Sequence, residues 1–338
     1  MNYIGLDHHR KFTQVAVVNE ADAVVLECRM LNTVEAVKAL LGRLSGPIKA
    51  VVEAGPSWGW IFDTMQKLGV EIVLANPMQV RVIAETRCKT DRRDALALAR
   101  LLRAGWIPQV YVGDAASRAK KQIWRERIWL VRMHVRLKNR MRRLLDHHHV
   151  DIPDYSDLFG VAGRTFLDAL VLPGTAQAIL RCELTLLDGY RKQIKEIQAA
   201  AEQTTEDLPN VRYLKSLPGF GAVFAPIAAL EIGPIDRFRN ASSLASYCGL
   251  VPSVSSSGGL TYRGTTGHSG NHWLKWVFIE AAWSALRTMP ELRVRFQRIK
   301  MRRGAQIAIV ACARHLCEIA FSVLKHQRFF EARSLVHA

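Results

Sequence analysis

Three β-type apolar runs at the N-terminus, an alternation of helix and strand after them, and a helix-rich remainder dense in arginine predict an α/β plus α protein. The predicted order is a ribonuclease H-like domain over residues 1–112, a basic helical coiled-coil linker over 113–205 and a mainly α C-terminal domain over 206–338.

The first run, residues 3–6, is apolar and ends at Asp7; residues 13–18 and 24–30 are further β-rich runs, so the chain opens with three sequential strands. A helix follows, capped by Asn32 or Thr33, with Val34, Val37, Leu40, Leu41 and Leu44 on one face. Residues 48–52 read as a buried strand ending at Glu53, then come a helix over 57–68 and a strand over 70–74. Asp91 opens the next helix, which runs into Ala95, Leu96, Ala97, Leu98, Ala99, Leu101 and Leu102. In such a fold the site lies at the carboxyl ends of neighbouring strands, where Asp7 and Glu53 fall.

Asp91 and Asp94, three residues apart in a first helical turn, share one side of that helix. Two acids at a positive helix N-terminus are also ordinary capping chemistry, so the pair gains meaning from partners that reach it. With Asp7 and Glu53 it makes four carboxylates at one edge, which repel one another unless a divalent cation is bound; oxygen donors favour Mg2+ or Mn2+ over zinc. An actin-like ATPase would also open with an apolar strand, Gly and Asp, but Gly55 and Gly59 are a weak substitute for its phosphate loops.

Across 338 residues, Lys+Arg 47 against Asp+Glu 30 gives a formal net charge of +17, and a polyanion is the expected partner. Six cysteines without a C-x-x-C pair suggest neither a zinc ribbon nor a disulfide framework. With no secretory signal and no uninterrupted apolar run of bilayer length, a cytoplasmic protein with no membrane partner is expected. Residues 117–145 form a long basic helix in which Arg118, Lys121, Arg125, Arg132, Arg136, Arg140 and Arg143 are candidate phosphate contacts, interleaved with apolar positions. A second helix over 176–203 carries Leu180, Leu184, Leu187, Tyr190, Ile194 and Ile197 at threes and fours, the spacing of a partner in an antiparallel or intermolecular coiled coil.

The C-terminal region opens with Leu217-Pro-Gly219-Phe-Gly221 before an apolar helix, a helix-hairpin-helix-like turn in which Gly219 and Gly221 expose backbone N–H groups to phosphate. A Ser/Gly run over 249–259 follows, then Arg263-Gly264, His268 and Gly270-Asn271. Such a run is usually a flexible linker; between two apolar helices it reads as a mobile loop in which a serine hydroxyl beside Arg263 attacks a phosphodiester.

Taken together, Tyr3-Ile-Gly-Leu-Asp7, Val52-Glu53-Ala54, Lys89-Thr-Asp91-Arg-Arg-Asp94-Ala95, Leu217-Pro-Gly-Phe-Gly221, Gly249-Leu-Val-Pro252, Ser257-Gly258 and Arg263-Gly264 resemble, in order and spacing, the DEDD transposases of the insertion sequence 110 family, relatives of Piv-type DNA invertases. The resemblance covers nearly the whole chain. It implies a RuvC-like domain with Asp7, Glu53, Asp91 and Asp94 as metal ligands and a C-terminal domain with Ser257 as nucleophile, beside which stand Ser253, Ser255 and Ser256. It also implies cut-and-rejoin strand exchange between donor and target DNA through a phosphoserine, directed by a structured non-coding guide RNA that base-pairs with both DNAs. Arg263 is expected to stabilise charge at phosphorus, and recombination between two duplexes is expected to need a dimer that pairs into a tetramer. Two rivals differ in chemistry: a RuvC-like Mg-dependent junction nuclease that uses water, and a non-catalytic nucleic-acid-binding protein.

Overall fold

The computed structural model describes residues 1–83, 90–257, 260–266 and 270–331, and for 253–257 and 260–266 it describes the backbone alone. The chain divides into two compact units, Met1–Ala115 and Ala116–Ala338; the residues expected as linker and C-terminal domain lie almost entirely in the second.

In the first unit the order is β1 (Asn2–His8), β2 (Phe12–Val18), β3 (Val24–Leu31), α1 (Val34–Gly42), β4 (Ile48–Glu53), α2 (Trp58–Lys67), β5 (Glu71–Ala75), α3 (Pro77–Ile83), α4 (Asp91–Arg103) and β6 (Gln109–Val110). Thr33 caps α1 by accepting from the Ala36 N–H, and Thr90 caps α4 by accepting from Arg93. The strands form one mixed sheet in the order β3-β2-β1-β4-β5-β6. β1 pairs antiparallel with β2 and parallel with β4, β5 is parallel to β4, and β6 closes the edge antiparallel to β5.

Alternation along the strands divides the sheet's two faces. Ile4, Leu6, Val15, Val17, Ala50 and Val52 pack with Val37 and Leu40 of α1 and Ile61, Phe62 and Met65 of α2. Val51 and Ala75 face the other way, with Val80 of α3 and Leu98 and Leu102 of α4, and Tyr3 joins them. Gly5 therefore lies under α4, and an added Cβ there would sit 2.0 Å from the Ala95 carbonyl oxygen and 2.6 Å from the Ala99 nitrogen. A glycine inside a strand is needed where another backbone approaches closely, and here that backbone is α4.

The second unit is mainly helical: α5 (Ala115–His147), α6 (Val161–Ala169), α7 (Thr175–Thr205), α8 (Pro209–Lys215), α9 (Phe224–Ile232), α10 (Ala241–Tyr247), a hairpin of β7 (Pro252–Ser257) and β8 (Leu260–Thr266), α11 (His272–Ala285), α12 (Pro290–Arg303) and α13 (Ala305–Lys325). α5 and α7 run antiparallel, since Arg127 donates to Gln198 at one end and Arg140 pairs with Glu183 nearer the other. Met141 and Leu145 of α5 bury against Leu180, Leu184 and Leu187 of α7. By length and composition α13 could cross a bilayer. Cys312, Ala313, Leu316, Cys317 and Ala320 are nevertheless fully buried in the unit's core, so α13 serves as a central packing helix.

Within the Ser/Gly run, expected as a mobile loop, Pro252–Ser257 forms β7 of an antiparallel hairpin. Ladder hydrogen bonding to β8 supplies the order that Ser/Gly composition does not predict. Gly258, Gly259 and His268 lie outside the described residues, as do Cys88 and Lys89.

Candidate metal centre and serine hairpin

The parallel register Leu6↔Val52 puts Asp7 and Glu53 at the next step of adjoining strands, both on the face that α4 covers. α4 turns Ala95, Leu98, Ala99 and Leu102 into the sheet, and Asp91 stands one turn before Ala95 on the same stripe. Gly5 lets this helix approach β1, and its N-terminal acids arrive beside the strand end.

One ligand atom each from Asp7, His9 and Asp91 falls within a 4.8 Å group. His9 Nε2 lies 3.0 Å from Asp7 Oδ2 and 3.4 Å from Asp91 Oδ2. Burial pushes the Asp7 carboxyl above its ordinary range; His9 pulls it back, and the charges of Asp91 and Asp94 push it up further. Asp94 thus acts on Asp7 through space, while Glu53 holds the neighbouring strand position outside the three-atom group. A carboxyl whose proton affinity is raised by burial and by neighbouring carboxylates, at a partly exposed strand end, fits a divalent cation, and the donor set is mainly oxygen. His9 was missed by sequence reasoning; its one signal is that it follows Asp7 by two residues.

Arg92 does not join the acids, because it turns away to pair with Glu27 of β3.

In the second unit, Ser257 pairs with Leu260 at the last described rung of the hairpin, while Arg263 pairs with Val254 three residues back along β7. The hairpin's base is closely built. A Cβ on Gly270 would lie 2.5 Å from Gly249 Cα, and the Asn271 N–H donates to the Tyr247 carbonyl at 2.7 Å. The Asn271 side chain caps α11 by accepting from Trp273 and Leu274, and its amide donates to Glu231 Oε2 at 3.0 Å.

Glu231 is a second residue that sequence reasoning missed. It is buried in the apolar helix α9, and its Oε1 accepts from Arg125 Nε at 2.9 Å and Nη2 at 2.6 Å. The isolated charge within 225–232 is the signal, since a buried carboxylate needs a cation. Lys121 and His272 also feel this carboxylate; burial lowers the proton affinity of both, and Glu231 partly restores it. Arg125 and Arg132 lie 5.4 and 5.3 Å over the Trp273 ring, so a cation-rich patch borders the hairpin's base.

The basic helix is therefore partly neutralised from within: Arg125 by Glu231 and Arg140 by Glu183, whose side chain is 4% exposed. Arg132, Arg136 and Arg143 are exposed, whereas Arg118 and Lys121 are half-buried. At the Pro-Gly turn, Gly219 has φ +86° and packs against the Ala281 backbone, while a Cβ on Gly221 would meet open space. An open groove of about 610 Å³ runs past Lys215, Gly219, Gly221 and Ser284.

Residues 4–150 match a DEDD-type family model described as a transposase, and residues 211–297 match the model of the transposase IS116/IS110/IS902 family. The chain is 26% identical to the putative transposase y4qE of Sinorhizobium fredii, over 82% of this chain and 72% of that protein. It is 24% identical to an uncharacterized 43.6 kDa protein of insertion element IS110 from Streptomyces coelicolor, over 98% and 96% of the two chains. With the transposase for insertion sequence element IS1111A of Coxiella burnetii it shares 22% identity over 97% and 90%.

Proposed function

Because the chain belongs to the IS110 family of transposases, and so is a DNA-processing enzyme, we propose that it exchanges strands between donor and target DNA through a serine–phosphate linkage. The observation that carries its metal-dependent part is the convergence of Asp7 and Asp91 at the carboxyl edge of the sheet, while the serine step rests on the place of Ser257 in the resemblance to the family. The first unit is then a RuvC-like, ribonuclease H-like domain, a reading supported by the sheet order β3-β2-β1-β4-β5-β6 with α4 over β1. The α5/α7 pair acts as the coiled-coil linker before a C-terminal domain at 206–338 whose Pro-Gly turn works in the helix-hairpin-helix manner.

Asp7, Glu53, Asp91 and Asp94 hold Mg2+ or Mn2+, which when bound offsets the negative charge of the scissile phosphate. Ser257 Oγ attacks phosphorus, its proton leaves, and the bond from phosphorus to the departing strand oxygen breaks; that oxygen takes up a proton. Strand exchange is the reverse attack by a new strand's hydroxyl, so the phosphoester bond is conserved and no nucleotide is consumed. Arg263 stabilises charge at phosphorus, while Arg118, Lys121, Arg125, Arg132, Arg136, Arg140 and Arg143, with the Gly219 and Gly221 amides, contact nucleic-acid backbone. Sequence choice is left to a structured guide RNA that pairs with both DNAs, and two duplexes are served by a dimer that pairs into a tetramer.

The test is incubation of the protein and its co-purified RNA with donor DNA, target DNA and magnesium, followed by a search for a protein–DNA adduct. Wild type forms the adduct and Ser257→Ala does not; Asp91→Ala neither cuts nor links. Cutting by Ser257→Ala at the wild-type rate would instead establish a water-using nuclease.

A further inference from the structure

Of the two histidines that end and follow β1, one is turned into the fold. His8 Nδ1 hydrogen-bonds Thr13 Oγ1 at 2.7 Å, and its ring lies 6.0 Å from that of Trp60. His9 goes to the acids, with Nε2 3.0 Å from Asp7 Oδ2 and 3.4 Å from Asp91 Oδ2.

The seating of His9 is constructed. Its N–H donates to the Phe12 carbonyl at 2.9 Å and its own carbonyl accepts from Asn32 Nδ2 at 2.8 Å. Asn32 is held in turn by the Thr13 hydroxyl, which donates to Asn32 Oδ1 at 2.7 Å from a fully buried position. The imidazole rests against the Phe12 ring with centroids 4.8 Å apart. The turn between β1 and β2 is thus pinned on both sides of His9, and the ring is backed by an aromatic face. Support of this kind around a donor orients it and limits the entropy lost when it binds.

We propose that His9 supplies a nitrogen ligand to the cation held by Asp7 and Asp91, making the centre a mixed nitrogen and oxygen site that favours manganese over magnesium. The inference rests on the metal-centre reading and adds a residue to it. Its chemistry follows from the donor: magnesium demands near-ideal oxygen octahedra and sheds water reluctantly, whereas a first-row transition ion accepts imidazole. His9 is also two residues from Asp7 and 82 from Asp91, so it joins the strand end and the helix N-terminus in one coordination group.

The experiment is pulsed electron paramagnetic resonance on the full chain loaded with Mn2+ alone. Wild type shows nitrogen coupling to manganese, and the pattern changes when the protein is made with 15N-histidine. His9→Ala and the better-packed His9→Gln, each checked for an unchanged thermal melt, lose the coupling. They bind Mn2+ at least about tenfold more weakly, in line with the effect of residues that support a metal site, while Mg2+ binding falls less. Manganese bound to wild type without nitrogen coupling, or coupling that persists in both variants, overturns the proposal and leaves His9 a polar neighbour of the two carboxylates. If Asp91→Asn loses Mn2+ while wild type binds it without nitrogen, only the role of His9 fails. If wild type binds no Mn2+, the metal-centre reading fails with it.

Discussion

Replacing Gly5 with alanine tests whether a packing requirement in β1 also sets the geometry of the acids two residues away. The new methyl group would stand 2.0 Å from Ala95 O and 2.6 Å from Ala99 N, both backbone atoms of α4. Ordinary carbon contacts begin at 3.4 Å, so the helix must retreat by roughly 1.4 Å. A side chain can swing out of such an overlap, but a helix backbone moves only as a body. The retreat opens a gap beneath Ala95, Leu98, Ala99 and Leu102, all buried against the sheet. Overpacking costs about 1–3 kcal/mol, and lost dispersion contacts add to it, so a cost of about 3 kcal/mol or more is expected. For a unit the size of Met1–Ala115, that lowers the melting temperature by ~10 °C or more.

The same movement carries Asp91 away from Asp7 and His9, whose ligand atoms now share a 4.8 Å group. The assay is a thermal melt paired with calorimetric titration of Mn2+. Gly59→Ala in α2 is the control, since its Cβ meets nothing within 4 Å, and it should leave both readings at or slightly above wild type. Gly5→Ala is expected to lose stability and most of its manganese affinity. An unchanged melt together with unchanged affinity would refute the close-approach argument.

Glu231→Ala leaves Arg125 and Asn271 without their shared carboxylate; because the Arg125 side chain is 43% exposed, the cost is taken below the full buried-pair value, at about 2–3 kcal/mol. A melting temperature within a degree of wild type would count against that network. His134, His272 and His315 all bind protons less readily in the fold than freely, burial being the main cause, aided by Lys138 and Arg191 at the first, Arg125 and Arg132 at the second, and Arg295 at the third. Their unfolded forms take up protons first, so stability is complete above the ordinary value of 6.5 and falls as pH drops below it. Denaturant melts from pH 7.5 to 5.5 check the slope, which His134→Gln should reduce; a slope of opposite sign would refute the assignment. Burial raises the Cys312 thiol to about 11, and Cys248 and Cys317 are buried with their sulfurs 3.8 Å apart, whereas Cys182 is exposed. Alkylation followed by mass spectrometry should therefore modify Cys182 in the native protein and the three buried thiols only after unfolding.

The parts of the fold legible in the sequence are those where one local signal decides the outcome. Period-two and β-branched runs mark β1 to β5, and threefold and fourfold apolar spacing marks α5 and α7. β6 is not legible in the sequence, because two residues carry no period. The serine hairpin is not legible as strands, because Ser and Gly have little strand propensity and its order comes from cross-strand pairing and a clamped base.

Residues that matter through a remote partner leave a different trace. Gly5 breaks an apolar strand and Glu231 breaks an apolar helix, and each is costly for the element that contains it. A local cost of that kind has to be offset by something distant: the α4 backbone at Gly5, and Arg125 with Asn271 at Glu231. His9 carries no such penalty, because a polar residue in a turn fits there without help, and so its approach to Asp91 left no mark in the sequence. The two costly residues also stand at the two places the proposed reaction must hold still: Gly5 sets how near α4 brings its acids to Asp7, and Glu231 holds the residue at which the hairpin of Ser257 joins α11.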